Sequence, residues 1–110
     1  MKVTVLGCGG SGGVPLAGRE SGGSWGKADP ANPKNRRRRV SLLVEEAGTR
    51  ILIDTSPDLR AQILDADITA LDAVLFTHAH ADHAHGLDEL RGLVYSRGAP
   101  IDAYMDARTH

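Results

Sequence analysis

Residues 78–83 have the sequence HAHADH, in which four side chains able to bind a metal ion occupy six consecutive positions. Imidazole nitrogens and a carboxylate oxygen suit Zn²⁺, Mn²⁺ or Fe²⁺, and a ligand set without thiolates is more typical of a reactive site than of a structural one. An apolar run at 73–76 precedes this histidine hexad and Gly86 follows it, which predicts a loop leaving a strand. Such loops commonly carry catalytic ligands. A polar histidine loop without a metal is the alternative.

The spacing within the hexad has a geometric reason. Side chains two apart on an extended backbone point the same way, so His78 and His80 can bind one ion. Asp82 and His83 lie after the turn and can face a second ion, and two ions roughly 3.5–4 Å apart can bridge a hydroxide and stabilise an oxyanion. The pattern therefore indicates metal-assisted hydrolysis, with Asp82 as the candidate catalytic residue. Each ion needs about three protein ligands, so four are too few, and His110 is a weak further candidate.

The rest of the chain predicts a mixed α/β protein whose strands lead to a site at their ends. Strands are expected at 2–7, 38–46, 50–54, 73–77 and 99–105, helices at 57–65 and 86–96, and a long loop at 7–35. Apolar Val3, Val5 and Leu6 predict a central first strand. The second helix is expected to bury Leu87, Leu90, Leu93 and Val94.

Composition limits the class of protein. The chain has 110 residues, 41% of them hydrophobic and 25% charged, with a net charge of −1. This charge gives no general attraction to nucleic acid or to anionic membranes, and no apolar stretch approaches the roughly 20 residues that span a bilayer. Cys8 is the single cysteine, which excludes a disulfide framework. We expect a cytoplasmic protein, and we interpret the chain as the N-terminal piece of a larger one, because a helix opening at Asp106 has only one turn.

Several segments together resemble a known family: residues 7–15 (GCGGSGGVP), 29–39 (DPANPKNRRRR), 53–58 (IDTSPD), 77–86 (THAHADHAHG) and 86–91 (GLDELR). They are similar to the metallo-β-lactamase superfamily, and further to its PhnP-like phosphoribosyl cyclic phosphodiesterase branch. The resemblance covers nearly the whole chain but only about the first half of such a domain. It implies an αββα sandwich, of which residues 1–110 form the N-terminal part.

By this resemblance His78 and His80 serve one divalent metal ion, and Asp82 and His83 serve a second. Zn²⁺ is expected first, with Mn²⁺ and Fe²⁺ as alternatives. The other ligands and the general acid would follow His110, so the isolated segment is expected to be inactive. A cysteine-rich structural zinc site of some relatives is expected to be absent, because residues 16–35 contain no cysteine.

The implied function is hydrolysis of a (cyclic) phosphodiester by attack of a metal-bridging hydroxide. A small-molecule phosphodiester is the expected substrate, nucleic acid and membranes are not expected partners, and a homodimer stays open. Thioesters, lactones and RNA phosphodiesters are alternative substrates. A catalytically incompetent metal-binding or protein-interaction fragment is the alternative from another class, and counting the metal ions bound per chain separates the two.

Three further residues are candidates outside the hexad. Asp54, at a strand end, could accept a hydrogen bond from a metal-bound imidazole or cap the following helix. His85 is either a solvated helix residue or a substrate contact. Arg38 represents the run at 36–39, whose alternating side chains allow at most two arginines to reach one phosphate, although such a run is more often a solvated face.

The segment GCGGSG (residues 7–12) also matches the dinucleotide fingerprint G-x-G-x-x-G after a strand. That fingerprint requires a helix immediately afterwards. Gly13, Pro15 and Gly18 follow instead, and no stable helix tolerates them. We therefore interpret this segment as a tight loop at the end of a strand.

Overall fold

A computed structural model describes all 110 residues and contains one five-stranded sheet with the order β1-β2-β3-β4-β5. β2 pairs antiparallel with both β1 and β3, and β4 pairs parallel with both β3 and β5. The strands are β1 Lys2–Gly7, β2 Ser41–Glu46, β3 Thr49–Ile53, β4 Ala73–Leu75 and β5 Asp102–Tyr104. The helices are α1 Leu59–Asp65, α2 Ala81–Ala84 and α3 Arg91–Arg97, and 3₁₀ turns lie at Pro33–Asn35 and Leu87–Leu90.

One face of the sheet carries the core. Leu43, Leu52 and Val74 are register neighbours on β2, β3 and β4, and each is at least 95% buried. They form a single cluster with buried side chains from the connections and helices: Leu59, Ile68, Leu71, Phe76, Leu90 and Leu93. The β3–α1 and β4–α2 connections leave the same ends of two adjacent parallel strands, and this places Asp54 beside the hexad.

The opposite face of the sheet is apolar but has no helix on it. One cross-strand row consists of Val5, Leu42, Ile53, Leu75 and Tyr104. Val5 and Tyr104 are more than half exposed, and Leu75 is 41% exposed. Parallel strands are normally covered on both faces, so this row is an apolar surface of the kind that a second layer of structure covers.

β1 is an edge strand, and the prediction of a central first strand is therefore wrong. Val3 and Val5 are 52% and 59% exposed. These two valines are apolar because they lie on the uncovered face of the sheet, and β1 has only one neighbouring strand. The alternation of side chains along a strand shows which face is apolar, but it does not show how many neighbours the strand has.

Two local predictions also need correction. The helix expected at 86–96 is a 3₁₀ turn followed by α3, and this change of phase leaves Leu87 54% exposed while Leu90 and Leu93 are buried. Asp106 opens a single turn in which its Oδ1 accepts hydrogen bonds from the backbone and hydroxyl of Thr109.

No helix has the length and apolar character that crossing a membrane requires.

Candidate metal centre

The turn between β3 and α1 fixes the backbone of the hexad. Thr55 donates its N–H to the His83 carbonyl at 2.7 Å and accepts from the Gly86 N–H at 2.9 Å. The Thr55 hydroxyl donates to the Ala84 carbonyl at 3.1 Å. A Cβ on Gly86 would overlap the Ser56 carbonyl oxygen, so only glycine allows the two segments to approach this closely. The C-terminal end of α2 is therefore held against the β3–α1 turn by three hydrogen bonds to Thr55.

Asp54 is the buried carboxylate at this junction, with 3% of its surface exposed. Its Oδ1 accepts the Thr77 N–H at 2.8 Å, and its Oδ2 accepts the Thr77 hydroxyl at 2.7 Å and lies 2.8 Å from His83 Nδ1. Its backbone φ of +60° lies in the left-handed region, which aspartate tolerates better than most residues and which is often found at functional sites. The hydrogen bond predicted between Asp54 and a hexad imidazole is present, whereas the N–H of Asp58 is bonded by Ser56 and not by Asp54.

These contacts select the tautomers of two imidazoles. A carboxylate only accepts hydrogen bonds, so His83 Nδ1 carries the proton and its Nε2 presents a lone pair. The Thr77 hydroxyl gives its proton to Asp54 and therefore accepts from His78 Nδ1, 2.9 Å away. His78 is then also an Nδ1–H tautomer with a free Nε2. One buried carboxylate thus prepares two ring nitrogens as metal ligands, directly for His83 and through Thr77 for His78.

The ligand side chains of the hexad lie close together. The His78 ring centre is 4.0 Å from that of His83 and 4.5 Å from that of His80. Asp82 and His83 lie in α2, a single helical turn preceded by extended His80, and Asp82 Oδ2 lies 3.4 Å from His83 Nε2. The His78 ring is therefore nearer to His83 than to His80, and the predicted division of the ligands into two pairs stays a prediction.

The donor set fits a divalent cation. Three imidazoles, two of them hydrogen-bonded at Nδ1 so that Nε2 is left as the donor atom, and one partly buried carboxylate are the ligands that Zn²⁺, Mn²⁺ and Fe²⁺ accept. No group of three or more histidine, cysteine, aspartate or glutamate side chains in these 110 residues is arranged to hold an ion by itself. The fit therefore rests on the chemistry and orientation of the donors. Their assignment as ligands stays a prediction.

The remaining candidates lie apart from this cluster. His85 ends α2 and is exposed, and His110 is exposed at the end of the Asp106 turn. Arg38 forms an ion pair with Asp65, the last residue of α1, at 2.6 Å. The N–H of His85 donates to the carbonyl of Ala81 in the hexad, and no side-chain hydrogen bond joins any of the three to the hexad. Their proposed roles as substrate contacts or ligands stay untested.

Sequence reasoning missed the partnership of Arg39 and Asp58. Arg39 donates from Nε and Nη2 to the two carboxylate oxygens of Asp58 at 2.7 and 2.9 Å, and its backbone N–H donates to the same group at 2.8 Å. This pairing lowers the pKa of Asp58 and, together with a smaller effect of Asp82, raises the pKa of Arg39. The run of four arginines and the acid after Pro57 were visible in the sequence, but which arginine meets which acid was not.

The sequence matches the family model described as the beta-lactamase superfamily domain over residues 49–110, a span that includes β3, the hexad and β5. The chain belongs to the beta-lactamase superfamily. This confirms the resemblance of the quoted segments and the predicted fold class. The matching span begins before the Asp54 turn and includes all the contacts that orient the hexad.

Two solved structures show the same superfamily architecture over nearly the whole chain. A diphosphatase from the PhnP family superposes with a TM-score of 0.84 and 38% identity, covering 97% of this chain and 42% of that protein. Zinc-bound PqqB from Methylobacterium extorquens superposes with a TM-score of 0.73 and 26% identity, covering 97% of this chain and 38% of that protein. The chain therefore spans about two fifths of the length of these superfamily structures.

Two curated relatives carry different names. An octanoyltransferase from Porphyromonas gingivalis is 47% identical over 104 residues, which are 94% of this chain and 20% of that protein. A ribonuclease Z from Bradyrhizobium diazoefficiens is 45% identical over 60 residues, which are 53% of this chain and 20% of that protein. The chain spans about a fifth of the length of each, so neither name assigns an activity to these 110 residues.

Proposed function

We propose that the full-length protein, meaning the product of the complete open reading frame, is a metal-dependent hydrolase that cleaves a phosphodiester. The observation that carries the proposal is the pair of imidazoles, His78 and His83, whose Nδ1 atoms are both tied to buried Asp54. A hydrogen bond at Nδ1 fixes the tautomer of an imidazole and leaves Nε2 as the atom that binds a divalent cation. The zinc-bound PqqB structure supports zinc as the first choice of metal.

Divalent ions at this centre would supply a Lewis acid and a water molecule acidified to near neutral pH. Each residue of the chain has a separate task around them. His78 and His80 would bind one ion, and Asp82 and His83 the second. Asp54 holds His83 and Thr77 in place and keeps the negative charge of a carboxylate behind the ligands, which raises their basicity. Thr55 and Gly86 keep the loop against β3.

The relatives carry names from more than one substrate class, and two of those names support a phosphoryl substrate. One solved structure is described as a diphosphatase, and one curated relative is named ribonuclease Z. The octanoyltransferase, aligned over 94% of this chain and a fifth of its own length, supports an acyl substrate instead, and the test below therefore includes a thioester. A cyclic or open phosphodiester stays the proposed substrate, and a diphosphate diester is the second candidate because of the TM-score of 0.84.

The test uses full-length protein reconstituted with Zn²⁺ or Mn²⁺. Hydrolysis of bis(p-nitrophenyl) phosphate, a cyclic nucleotide, ADP-ribose and a short RNA is measured beside a thioester and a lactone. We expect turnover of at least one phosphodiester, and loss of that turnover in Asp82→Ala and in His80→Ala. Asp88→Ala is the matched control, because Asp88 is an exposed aspartate paired with Arg91 and its removal should change the rate less than about twofold.

The outcomes separate the parts of the proposal. If metal-loaded protein cleaves only ADP-ribose, the substrate is a diphosphate diester, which is the second candidate. Cleavage of only the thioester or the lactone overturns the phosphoryl assignment and leaves a hydrolase. Retained activity in Asp82→Ala overturns the assignment of the hexad. Cytoplasmic location and a homodimer remain predictions that fractionation and ultracentrifugation would test.

A further inference from the structure

Arg39 differs from the other three arginines of its run in how rigidly it is held. Two of its five N–H groups are bound to Asp58 in a side-on pair, and its side chain is 28% exposed. Arg36 lies over the Trp25 ring at 5.2 Å. Arg38 pairs with Asp65, whose side chain is 64% exposed. Arg39 therefore differs from Arg38 in being held at two nitrogens and in being less exposed, with 28% against 39% of the side chain accessible.

The pairing leaves part of the Arg39 guanidinium unused. Nη1 donates no hydrogen bond in the structure, and the second hydrogen of Nη2 is also free. A cleft of about 400 Å³ is lined mainly by residues 12–15, the arginine run and Asp58. Gly13, with a φ of +67°, permits this geometry, because a Cβ there would lie 2.9 Å from the Arg37 carbonyl oxygen and 3.6 Å from Arg39 Cδ. The unused donors therefore belong to a residue that lines an open cleft.

The cleft and the hexad share one structural support. Asp54 and Asp58 lie four positions apart on the β3–α1 turn, where Asp54 orients His83 and Asp58 orients Arg39. A second chain of bonds ties the same turn to the arginine run, since Ser56 Oγ bonds Gln62 Oε1 at 2.8 Å and Gln62 Nε2 donates to the Arg39 carbonyl at 2.9 Å. The charge of Asp82 also contributes, after that of Asp58, to the raised pKa of Arg39. The guanidinium is thus held in fixed relation to the metal ligands.

We propose that Arg39 is an anion-binding residue of this cleft, whose free N–H groups hold oxygens of a phosphoryl group of the substrate, with Asp58 as the residue that positions it. The proposal rests on the proposed function, which supplies an anionic group at the hexad. A guanidinium suits this task because it stays charged and presents parallel donors that match phosphate oxygens. Asp58 leaves those donors free while it prevents the side chain from rotating away.

The test measures inorganic phosphate binding to the zinc-loaded full-length protein by calorimetry. We expect Arg39→Ala to weaken phosphate binding roughly 10–100-fold, the usual effect of losing charge-assisted hydrogen bonds. Arg38→Ala is the matched control, with the same charge change one residue away, and should weaken binding less than about threefold because screening limits the effect of an exposed charge. Zinc content is measured for each variant and should stay unchanged.

Two further variants keep the test decisive if Arg39→Ala does not fold. Arg39→Gln combined with Asp58→Asn replaces the ion pair by an amide pair at constant net charge, and should weaken phosphate binding as much as Arg39→Ala. Asp58→Asn alone makes the site more positive, so a purely electrostatic role predicts tighter phosphate binding. A positioning role predicts weaker binding and a raised KM with little change in kcat.

Equal weakening in Arg38→Ala and Arg39→Ala, or unchanged affinity in the double variant, would overturn the proposal. Failure of the proposed function looks different: the protein would bind phosphate through Arg39 but hydrolyse no phosphodiester, or would hold no zinc.

Discussion

The histidine hexad and the arginine run both flank a sheet strand, yet the structure treats their charged groups in opposite ways. The hexad side chains converge, because one buried carboxylate, Asp54, ties two of the imidazoles to one orientation. The arginines diverge, with Arg36 on Trp25, Arg38 on Asp65 and Arg39 on Asp58. A run of similar side chains therefore indicates a shared ligand only where a buried residue, such as Asp54, orients those side chains together.

The difference follows from what holds each segment. The hexad is short, and the β3–α1 turn bonds it on both sides: Asp54 accepts the N–H of Thr77 before it, and Thr55 bonds the C-terminal end of α2. Its side chains therefore have a common frame. The loop before the arginine run is long, and it is fixed mainly by isolated bridges, Gly9 to Arg39 and Val14 to Arg37. Arg38 and Arg39 consequently pair with different acids, Asp65 at the end of α1 and Asp58 at its start.

The largest expected effect breaks the frame of the hexad. Gly86→Ala places a Cβ on the Ser56 carbonyl oxygen, and neither backbone can yield without breaking the Thr55 bonds. We expect a loss of roughly 3 kcal/mol or more in the free energy of unfolding of the full-length protein, measured by urea titration. Gly92→Ala is the control, because nothing lies within 4 Å of its Cβ in α3 and alanine there should add about 0.5–1 kcal/mol. Equal stability of the two variants would contradict the close approach.

The next effect concerns alignment and leaves the frame intact. Asp54→Asn replaces one acceptor oxygen by an amide, so Thr77 and His83 cannot both keep their hydrogen bonds. We expect the zinc affinity of the full-length protein to fall roughly 10–100-fold in competition with a chelating dye. Asp58→Asn removes a carboxylate from the same turn without touching an imidazole, and should change zinc affinity less than about twofold. Matching losses in the two variants would show that the effect is general charge and not alignment.

The smallest effect tests how the arginine run is held. The hydrogen bonds from Arg39 lower the pKa of Asp58. A group whose pKa is lower in the folded state stabilises it above its ordinary pKa, near 4, and that contribution is lost as the pH falls through the folded pKa. Asp58→Asn should therefore cost about 1–2 kcal/mol at pH 7, and the difference from the unmodified protein should shrink below pH 4. A difference that is constant between pH 7 and pH 3 would contradict the ion pair.

The zinc and phosphate measurements sharpen the same comparison. Asp54→Asn should lower zinc affinity, and Arg39→Ala should lower phosphate affinity without lowering zinc affinity. If one substitution lowered both, the hexad and Arg39 would have to be regarded as a single site with one binding free energy.

Local pattern located most elements, because it depends on side chains close in sequence. The hairpin of β2 and β3, the start of α1 after Ser56-Pro57, and the hexad after β4 were predicted, with strand bounds off by up to three residues. β1 was misplaced because an edge strand on an uncovered apolar face has the same alternation as an inner strand. Leu87 was misplaced because a 3₁₀ turn changes the helical phase.

The sequence by itself determined the family, the α/β class, the hexad and the expectation that Asp54 meets an imidazole, because each depends on residue types at short, fixed spacing. Tertiary structure alone decided that Thr77 carries the influence of Asp54 to His78, that Gly86 packs on Ser56, and that Arg39 and not Arg38 faces the acid of the β3–α1 turn. These contacts join residues 19 to 30 positions apart. Their partners are selected by sheet register and burial, which no local spacing encodes.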